Sequence, residues 1–277
     1  MTNLPFSSSP SGLAQARQFS SAESSVLTVD FGNSQVKFGL LQTESGALPE
    51  LIKVIAVNQD EPTPWSELER WAVDFPAPSR CLAAGVNPPR LKDFCEAWLV
   101  SSLAPRWPQP QRVTRNDLPL EVAVEFPDKV GIDRLLNAVA ANLLRQPGEP
   151  VIVVSAGTAT TVDLVSAAGA FLGGCILPGI RLGALALHHY TALLPLLDDE
   201  APGEPRLPGR NTVEAMRNGL VWGQLGAVRE LVARLGAVSE GQPATIFTGG
   251  AGEWLSAQFP TARYEAHLPL KGLASLS

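Results

Sequence analysis

The sequence is poor in the features that mark proteins other than ordinary globular enzymes. No apolar run reaches the roughly 18 residues of a membrane-spanning helix, and residues 1–25 carry Ser, Pro and Gly where a secretory signal has its hydrophobic core. A cytoplasmic protein without a membrane partner is expected. Positive charge is not in excess: 21 Lys and Arg against 27 Asp and Glu give a formal net charge of −6. That removes the basic footprint nucleic acid or an anionic membrane would need. Cysteines number three, Cys81, Cys95 and Cys175, without C-x-x-C spacing, so they read as buried thiols in a reducing compartment. His188, His189 and His267 have no partner at metal-ligand spacing, and the six tryptophans read as core or interface.

What is present is enough apolar material, 45% of 277 residues, for one large domain or two smaller ones, with small molecules as the expected partners. The chain is organised around residues 151–178, VIVVSAGTATTVDLVSAAGAFLGGCILP. Apolar runs at 151–154 and 162–165 flank Gly157-Thr158-Ala159-Thr160-Thr161, which predicts a strand, a tight hydroxyl-lined turn and a strand. Gly157 admits a ligand close to the backbone, and hydroxyls and turn N–H groups can donate to phosphate oxygens. An ordinary hairpin with threonines at β-favouring positions has the same residues, so the rest of the chain must decide.

Residues 1–25 are Ser-rich and unpatterned, which predicts a disordered extension. Strands are expected at 26–31 and 35–42, joined through Gly32-Asn33-Ser34, and at 51–57 and 80–85, with helices at 64–74, 91–100 and 131–144 and a short strand at 112–115. Beyond the central stretch come a strand at 169–177, a helix at 181–194, a surface loop at 197–208 and a long helix from Asn211 or Thr212 to about 235. A strand at 244–247, a helix at 253–259, a strand at 262–266 and a helix at 270–276 follow. Three strands followed by alternating helix and strand thus occur twice. Val29-Asp30-Phe31-Gly32-Asn33 also aligns with Val154-Ser155-Ala156-Gly157-Thr158 at an offset of 125. A duplication is inferred, with halves at 26–147 and 148–277 facing each other across a cleft.

Three groups of residues could carry chemistry. Asp30 ends a buried strand before a glycine turn, where a carboxylate can hold a divalent cation or simply cap the turn; Lys37 adds charge nearby or is a solvated edge lysine. In Gly131-Ile132-Asp133-Arg134, Asp133 could take a proton from a hydroxyl and Arg134 grip a carboxylate, unless both serve a surface salt bridge. Asn137, one turn on, reads as a buried, satisfied polar group. Thr248-Gly249-Gly250 between strand and helix suits close approach by a base, ribose or phosphate, although such a pair is also common in plain turns.

Seven ordered pieces spanning 27–273, DFGNSQVKFG, VGIDRLLNAVAA, GTATTVDLV with GAFLGGCILPGI, TALLP, NTVEAMRNG, IFTGG and LPLKGL, resemble the type III pantothenate kinase (Bvg accessory factor-like) family. The resemblance implies an α/β protein with the duplicated ribonuclease-H-like fold of the actin, acetate kinase and sugar kinase superfamily, closed around a central cleft. It implies a homodimer that uses ATP and Mg²⁺, with a monovalent cation (K⁺ or NH₄⁺), to convert pantothenate to 4′-phosphopantothenate in the first step of coenzyme A biosynthesis. Asp30 would then bind Mg²⁺ and, with Gly32, Asn33 and Lys37, the ATP phosphates. Asp133 would be the general base, and Gly131 and Arg134 would hold pantothenate, Arg134 by its carboxylate. Gly157 and Thr158 would form the second phosphate and substrate turn. Thr212 would close the pantothenate pocket, partly from the other subunit, and Thr248, Gly249 and Gly250 would meet adenosine.

Two departures accompany the resemblance. Ser155 stands where the family usually has the aspartate of D-x-G-T-A, associated with its monovalent cation, and Val124, Glu125 and Phe126 precede Pro127 where a Tyr and an Asn are usual. A weakly active or inactive relative that binds nucleotide or pantothenate and acts through a partner protein is the alternative. A sugar or acetate kinase explains the fold but not the ordered pieces.

Overall fold

The computed structural model describes residues 24–197 and 206–277. β1 (Ser24–Phe31) pairs antiparallel with β2 (Gln35–Thr43), and β2 with β3 (Glu50–Asn58). β1 is central and buried from Val26 to Phe31, which is why apolar residues dominate it, with only Thr28 and Asp30 between them; β3, at the sheet edge, mixes exposed and half-buried residues. After α1 (Trp65–Asp74), β4 (Arg80–Gly85) joins β1 in parallel, and after α2 (Pro88–Leu99), β5 (Pro110–Arg112) joins β4. α3 (Ile132–Leu144) leads into the second sheet.

The same plan then repeats. β6 (Val151–Ala156), β7 (Ala159–Val165) and β8 (Phe171–Pro178) form an antiparallel meander. α4 (Ile180–Tyr190) and α5 (Thr212–Val238) precede β9 (Ala244–Thr248), which is parallel to β6; α6 (Gly252–Ser256) precedes β10 (Arg263–Tyr264), which is parallel to β9. The orders β3-β2-β1-β4-β5 and β8-β7-β6-β9-β10 match strand for strand, so the inferred duplication is present in the topology.

α3 and the last helix, α7 (Leu268–Ala274), form the layer between the sheets. Their shared core includes Leu135 and Leu136 of α3, Leu270 and Leu273 of α7, Leu82 of the first sheet and Val153 of the second. The helices touch backbone to backbone at Gly272, where a Cβ would collide with the Leu136 carbonyl. α7 falls in the expected second half, yet it packs on β1, β2 and β4 of the first sheet. Outer cores flank this layer: Phe31, Phe38, Phe94 and Trp98 on one side, Val154, Leu225, Val228 and Phe247 against α5 on the other.

Several boundaries differ from expectation. β5 ends at Arg112, short of the expected strand at 112–115, because Asp117 Oδ2 accepts from the Thr114 N–H (2.8 Å) and hydroxyl (2.7 Å) and turns the chain out of the sheet. α4 stops at Tyr190 and not 194; Thr191 donates its hydroxyl to the Leu187 carbonyl (2.7 Å) as the helix ends. Thr160 and Thr161 belong to β7 and are buried, so the hydroxyl-lined turn shrinks to Gly157-Thr158. Ser24 and Ser25 open β1, while residues 1–23 of the expected extension, and 198–205 of the expected loop, lie outside the described residues. Among the described residues, no helix is long and apolar enough to cross a membrane.

Candidate active site

Asp30, one residue from the end of β1, faces Lys37 directly across the ladder. It is 6% exposed and its Oδ1 has no hydrogen-bond partner. Burial pushes its carboxyl up to about 7; Lys37 counteracts this and Asp133 reinforces it. The carboxylates of β1 and α3 therefore stand close enough to repel. Gly131, the N-cap of α3, leaves room for this corner: a Cβ there would lie 2.5 Å from Asp133 Oδ1. Gly85 ends β4 in register with Phe31, and a Cβ on it would be 2.5 Å from the Phe31 carbonyl oxygen. Its importance was invisible as a strand-terminal glycine.

The first turn is closed by the Gly32 N–H, which donates to Gln35 O (3.0 Å). It is clamped from beneath by Gln59, whose N–H donates to Ser34 O (2.9 Å) and whose amide donates to Gly32 O. The Asn87 amide donates to Gln59 Oε1 (3.3 Å), while Asn87 caps α2 by accepting from the Arg90 N–H (3.3 Å). Sequence reasoning missed Gln59 and Asn87, since neither carries a local motif.

The second turn repeats the device. The Gly157 N–H donates to Ala159 O (3.1 Å), and the Gly179 N–H donates to Thr158 O (3.0 Å), at a distance that admits no side chain on Gly179. The two turns meet: the hydroxyls of Ser34 and Thr158 are 2.7 Å apart. Each glycine N–H is used within its own turn. Among the described residues, no hydrogen bond uses the N–H of Asn33, Ser34 or Thr158, which leaves these as donors for an anion.

The third turn is only partly as expected. Thr248 is 1% exposed, and its hydroxyl accepts from the Leu268 N–H (3.3 Å), so its side chain ties β9 to α7 and is not free for a ligand. Gly249 (φ +86) and the exposed Gly250 form the accessible turn; a Cβ on Gly249 would lie 2.5 Å from the Ala156 carbonyl oxygen. Gly249 thus lies against Ala156 as Gly85 lies against Phe31, the two partners being 125 residues apart. His267, which precedes α7, is left-handed (φ 54) and half-buried. Burial, Lys37 and Lys271 hold its ring below the usual histidine range.

Arg134 is not a free guanidinium. Its Nε donates to both carboxylate oxygens of Asp163 (3.1 and 3.2 Å), its Nη2 also binds Asp163, and its Cζ lies 5.4 Å from the Phe171 ring centroid. One guanidinium edge is thus occupied by Asp163, and Nη1 is unengaged among the described residues. Asp163 has only 2% of its side chain exposed; burial pushes its carboxyl up and Arg134 draws it down. A lone carboxylate in the apolar run of β7 was the signal that could have found it. Val122 pairs with Phe171, and Val124 lies beside Gly173 of β8, so the segment where the family's Tyr is absent borders this pair.

Ser155 lies opposite Thr161 and Thr248. These neighbours are neutral, and the nearby charge of Asp163 is taken by Arg134. The residues present do not fit a monovalent-cation site built on a carboxylate; among the described residues no group of three or more His, Cys, Asp or Glu could hold a metal. Asn137 is buried as expected, but its Oδ1 has no hydrogen bond. Thr212 is the exposed first residue of α5, which Asn211 caps by accepting from the Glu214 N–H (2.9 Å). Beside it, α4 and α5 line an apolar groove that includes Leu187, Tyr190, Met216 and Leu220.

A sequence model of type III pantothenate kinase matches residues 26–234. A type III pantothenate kinase of Gluconobacter oxydans (strain 621H) is 37% identical over 233 residues, 81% of this chain and 82% of the relative. One from Thermus thermophilus is 36% identical over 255 residues, 90% and 96% of the two chains. Among solved structures, a conserved Baf family protein from Campylobacter jejuni has a TM-score of 0.56 at 21% identity, covering 90% of this chain and 96% of its own. A Sinorhizobium meliloti protein described as a 2-dehydro-3-deoxygalactonokinase has a TM-score of 0.53 at 14% identity, covering 91% and 97%. At these identities the two structures speak for the fold alone, the α/β architecture with two like five-stranded sheets.

Proposed function

The chain belongs to the type III pantothenate kinase family, and on that premise we propose that it is a pantothenate kinase that transfers the γ-phosphoryl group of ATP to the pantothenate hydroxyl, opening coenzyme A biosynthesis. The observation that carries this reading is the meeting, at one corner, of Asp30 and Asp133 with two glycine turns joined through Ser34 and Thr158. Residues 26–147 and 148–277 are read as the two halves.

Asp133 takes the proton of the acceptor hydroxyl; general-base catalysis of this kind contributes typically about 10²- to 10⁴-fold. Asp30 fits Mg²⁺, since its buried, unpartnered oxygen and raised pKa mark a carboxylate whose charged form wants a counter-ion. The metal, held there, would neutralise phosphate charge. Lys37 adds positive charge from the paired strand, and the N–H groups of Asn33, Ser34 and Thr158 donate to phosphate oxygens. The Gly249–Gly250 turn lets nucleotide approach the backbone. Arg134 offers Nη1 to the pantothenate carboxylate. Ser155 and its paired neighbours supply no carboxylate for the monovalent cation that the family resemblance implies. The apolar α4–α5 groove, with Leu182, Leu185 and Trp222 exposed on the same helices, suits a second copy of the chain and so a homodimer, with Thr212 completing a pocket across it. A cytoplasmic setting fits such an enzyme.

The test is incubation of the purified protein with ATP, Mg²⁺ and pantothenate, with phosphopantothenate read by mass spectrometry. Folded protein that gives no product with any nucleoside triphosphate refutes the reading. Ser155 favours a second one, a weakly active relative that works through a protein partner. Calorimetric binding of ATP or pantothenate without turnover would select it.

A further inference from the structure

We propose that Asp163 is a positioning residue for the acceptor: it holds the Arg134 guanidinium by its Nε edge and so fixes the Nη1 corner that receives the substrate carboxylate. This rests on the functional reading above, in which the acceptor carries a carboxylate. Three constraints act on one planar group. Asp163 engages Nε through both carboxylate oxygens at 3.1 and 3.2 Å and engages Nη2 as well. The Phe171 ring lies 5.4 Å from Cζ, which constrains the guanidinium further. Phe171 is itself fixed, its N–H donating to Glu121 O (2.8 Å) and its carbonyl accepting from the Ala123 N–H (2.9 Å).

The pair also has the right placement. Arg134 follows Asp133 at the start of α3, whereas Asp163 stands on β7 of the second sheet, so the guanidinium is set relative to the base by two rigid elements. With side-chain exposures of 14% and 2%, both ions have lost most of their water. A buried ion pair is often no more stabilising than apolar residues of the same volume. Geometry is what this pair supplies. An arginine on α3 alone would order its long side chain at each binding event; held by Asp163, it meets the carboxylate already ordered.

The experiment compares wild type, Asp163→Asn and Asp163→Glu on two acceptors, pantothenate and the neutral carboxamide in which an amide replaces the carboxylate. Asparagine keeps the volume of Asp163 but not the charge that holds the guanidinium. The expected result is a KM for pantothenate raised about 10- to 100-fold in Asp163→Asn, with KM for the carboxamide and for ATP within about 3-fold of wild type. Asp163→Glu recovers part of the loss. Calorimetric titration of the same acceptors reads the same ratio without turnover. A wild type inactive on both acceptors therefore refutes the kinase reading, while the binding ratio still judges Asp163. Equal loss on acid and carboxamide, no loss on either, or failure of both variants to fold overturns the proposal, because each leaves Asp163 a purely structural residue.

Discussion

The hydroxyls of Ser34 and Thr158 meet at 2.7 Å although 124 residues separate them. Each sits at the tip of a hairpin from a different sheet, so the bond joins the two tips and brings together the free N–H donors of both turns. Both residues are exposed, so the bond itself adds little stability. Its contribution is to the spacing between the two turns, which the proposed function assigns to phosphate.

Ser34→Ala is therefore expected to change melting temperature little and to raise KM for ATP by about 3- to 10-fold, the effect of about one hydrogen bond. Steady-state kinetics with either substrate varied is the check. An unchanged KM for ATP would show that the turns act independently.

Asp133→Asn keeps the shape of the corner and removes the proton acceptor. Turnover should fall about 10²- to 10⁴-fold. Binding of ATP and pantothenate by calorimetry should stay near wild type, since the introduced amide oxygen still accepts a hydrogen bond from the hydroxyl. A variant retaining more than a tenth of wild-type turnover would remove Asp133 from the base role.

Asp30 makes stability depend on pH in a direction opposite to most aspartates. Its folded carboxyl titrates at about 7, against 3.8 for the ordinary value, because burial disfavours the charge. Between those values the folded state keeps a proton that the unfolded chain has lost, so rising pH costs stability, saturating at roughly 4 kcal/mol. Without divalent metal, this group should make the protein more stable at pH 5 than at pH 8. Asp30→Asn should raise the melting temperature at pH 8 by several degrees, raise it less than half as much at pH 5, and abolish Mg²⁺-dependent turnover. Scanning calorimetry at the two pH values decides. Destabilisation by Asp30→Asn at pH 8 would show that burial is not what governs this carboxyl.

Wild-type turnover should be indifferent to exchange of Na⁺ for K⁺ or NH₄⁺, because the position facing Thr161 and Thr248 is a neutral serine. Ser155→Asp supplies an anionic ligand there and should create a dependence on K⁺ or NH₄⁺. The measurement is initial rate against cation at constant ionic strength. Strong K⁺ activation of wild type would mean that hydroxyls and carbonyls hold the ion unaided.

The order of the elements could be read from the chain because the central strands β1 and β6 are buried along nearly their whole length, leaving long apolar runs, and the turns carry glycine and hydroxyl side chains. The turns themselves were legible for the same local reason. What local pattern did not disclose depends on partners distant in sequence. Asp163 is one carboxylate among apolar strand residues until α3 brings Arg134 from 29 residues away. Gln59 is a polar residue after a strand until it reaches back 27 residues to Gly32. Thr248 looked like part of a ligand turn, yet the Leu268 N–H takes its hydroxyl. The strand at 112–115 failed because Thr114 and Asp117 make a side-chain turn that strand propensity does not weigh.

α7 packs on β1, β2 and β4 and touches α3 at Gly272, yet it follows every strand of both sheets. On a ribosome, the first sheet is synthesised long before the helix that covers its inner face. Until α7 is made, the earlier-made half has only α3 on that face, so completion of the first half is coupled to synthesis of the second. A nascent chain halted after β10 would present a finished hairpin tip above an open core, the species on which a chaperone would act.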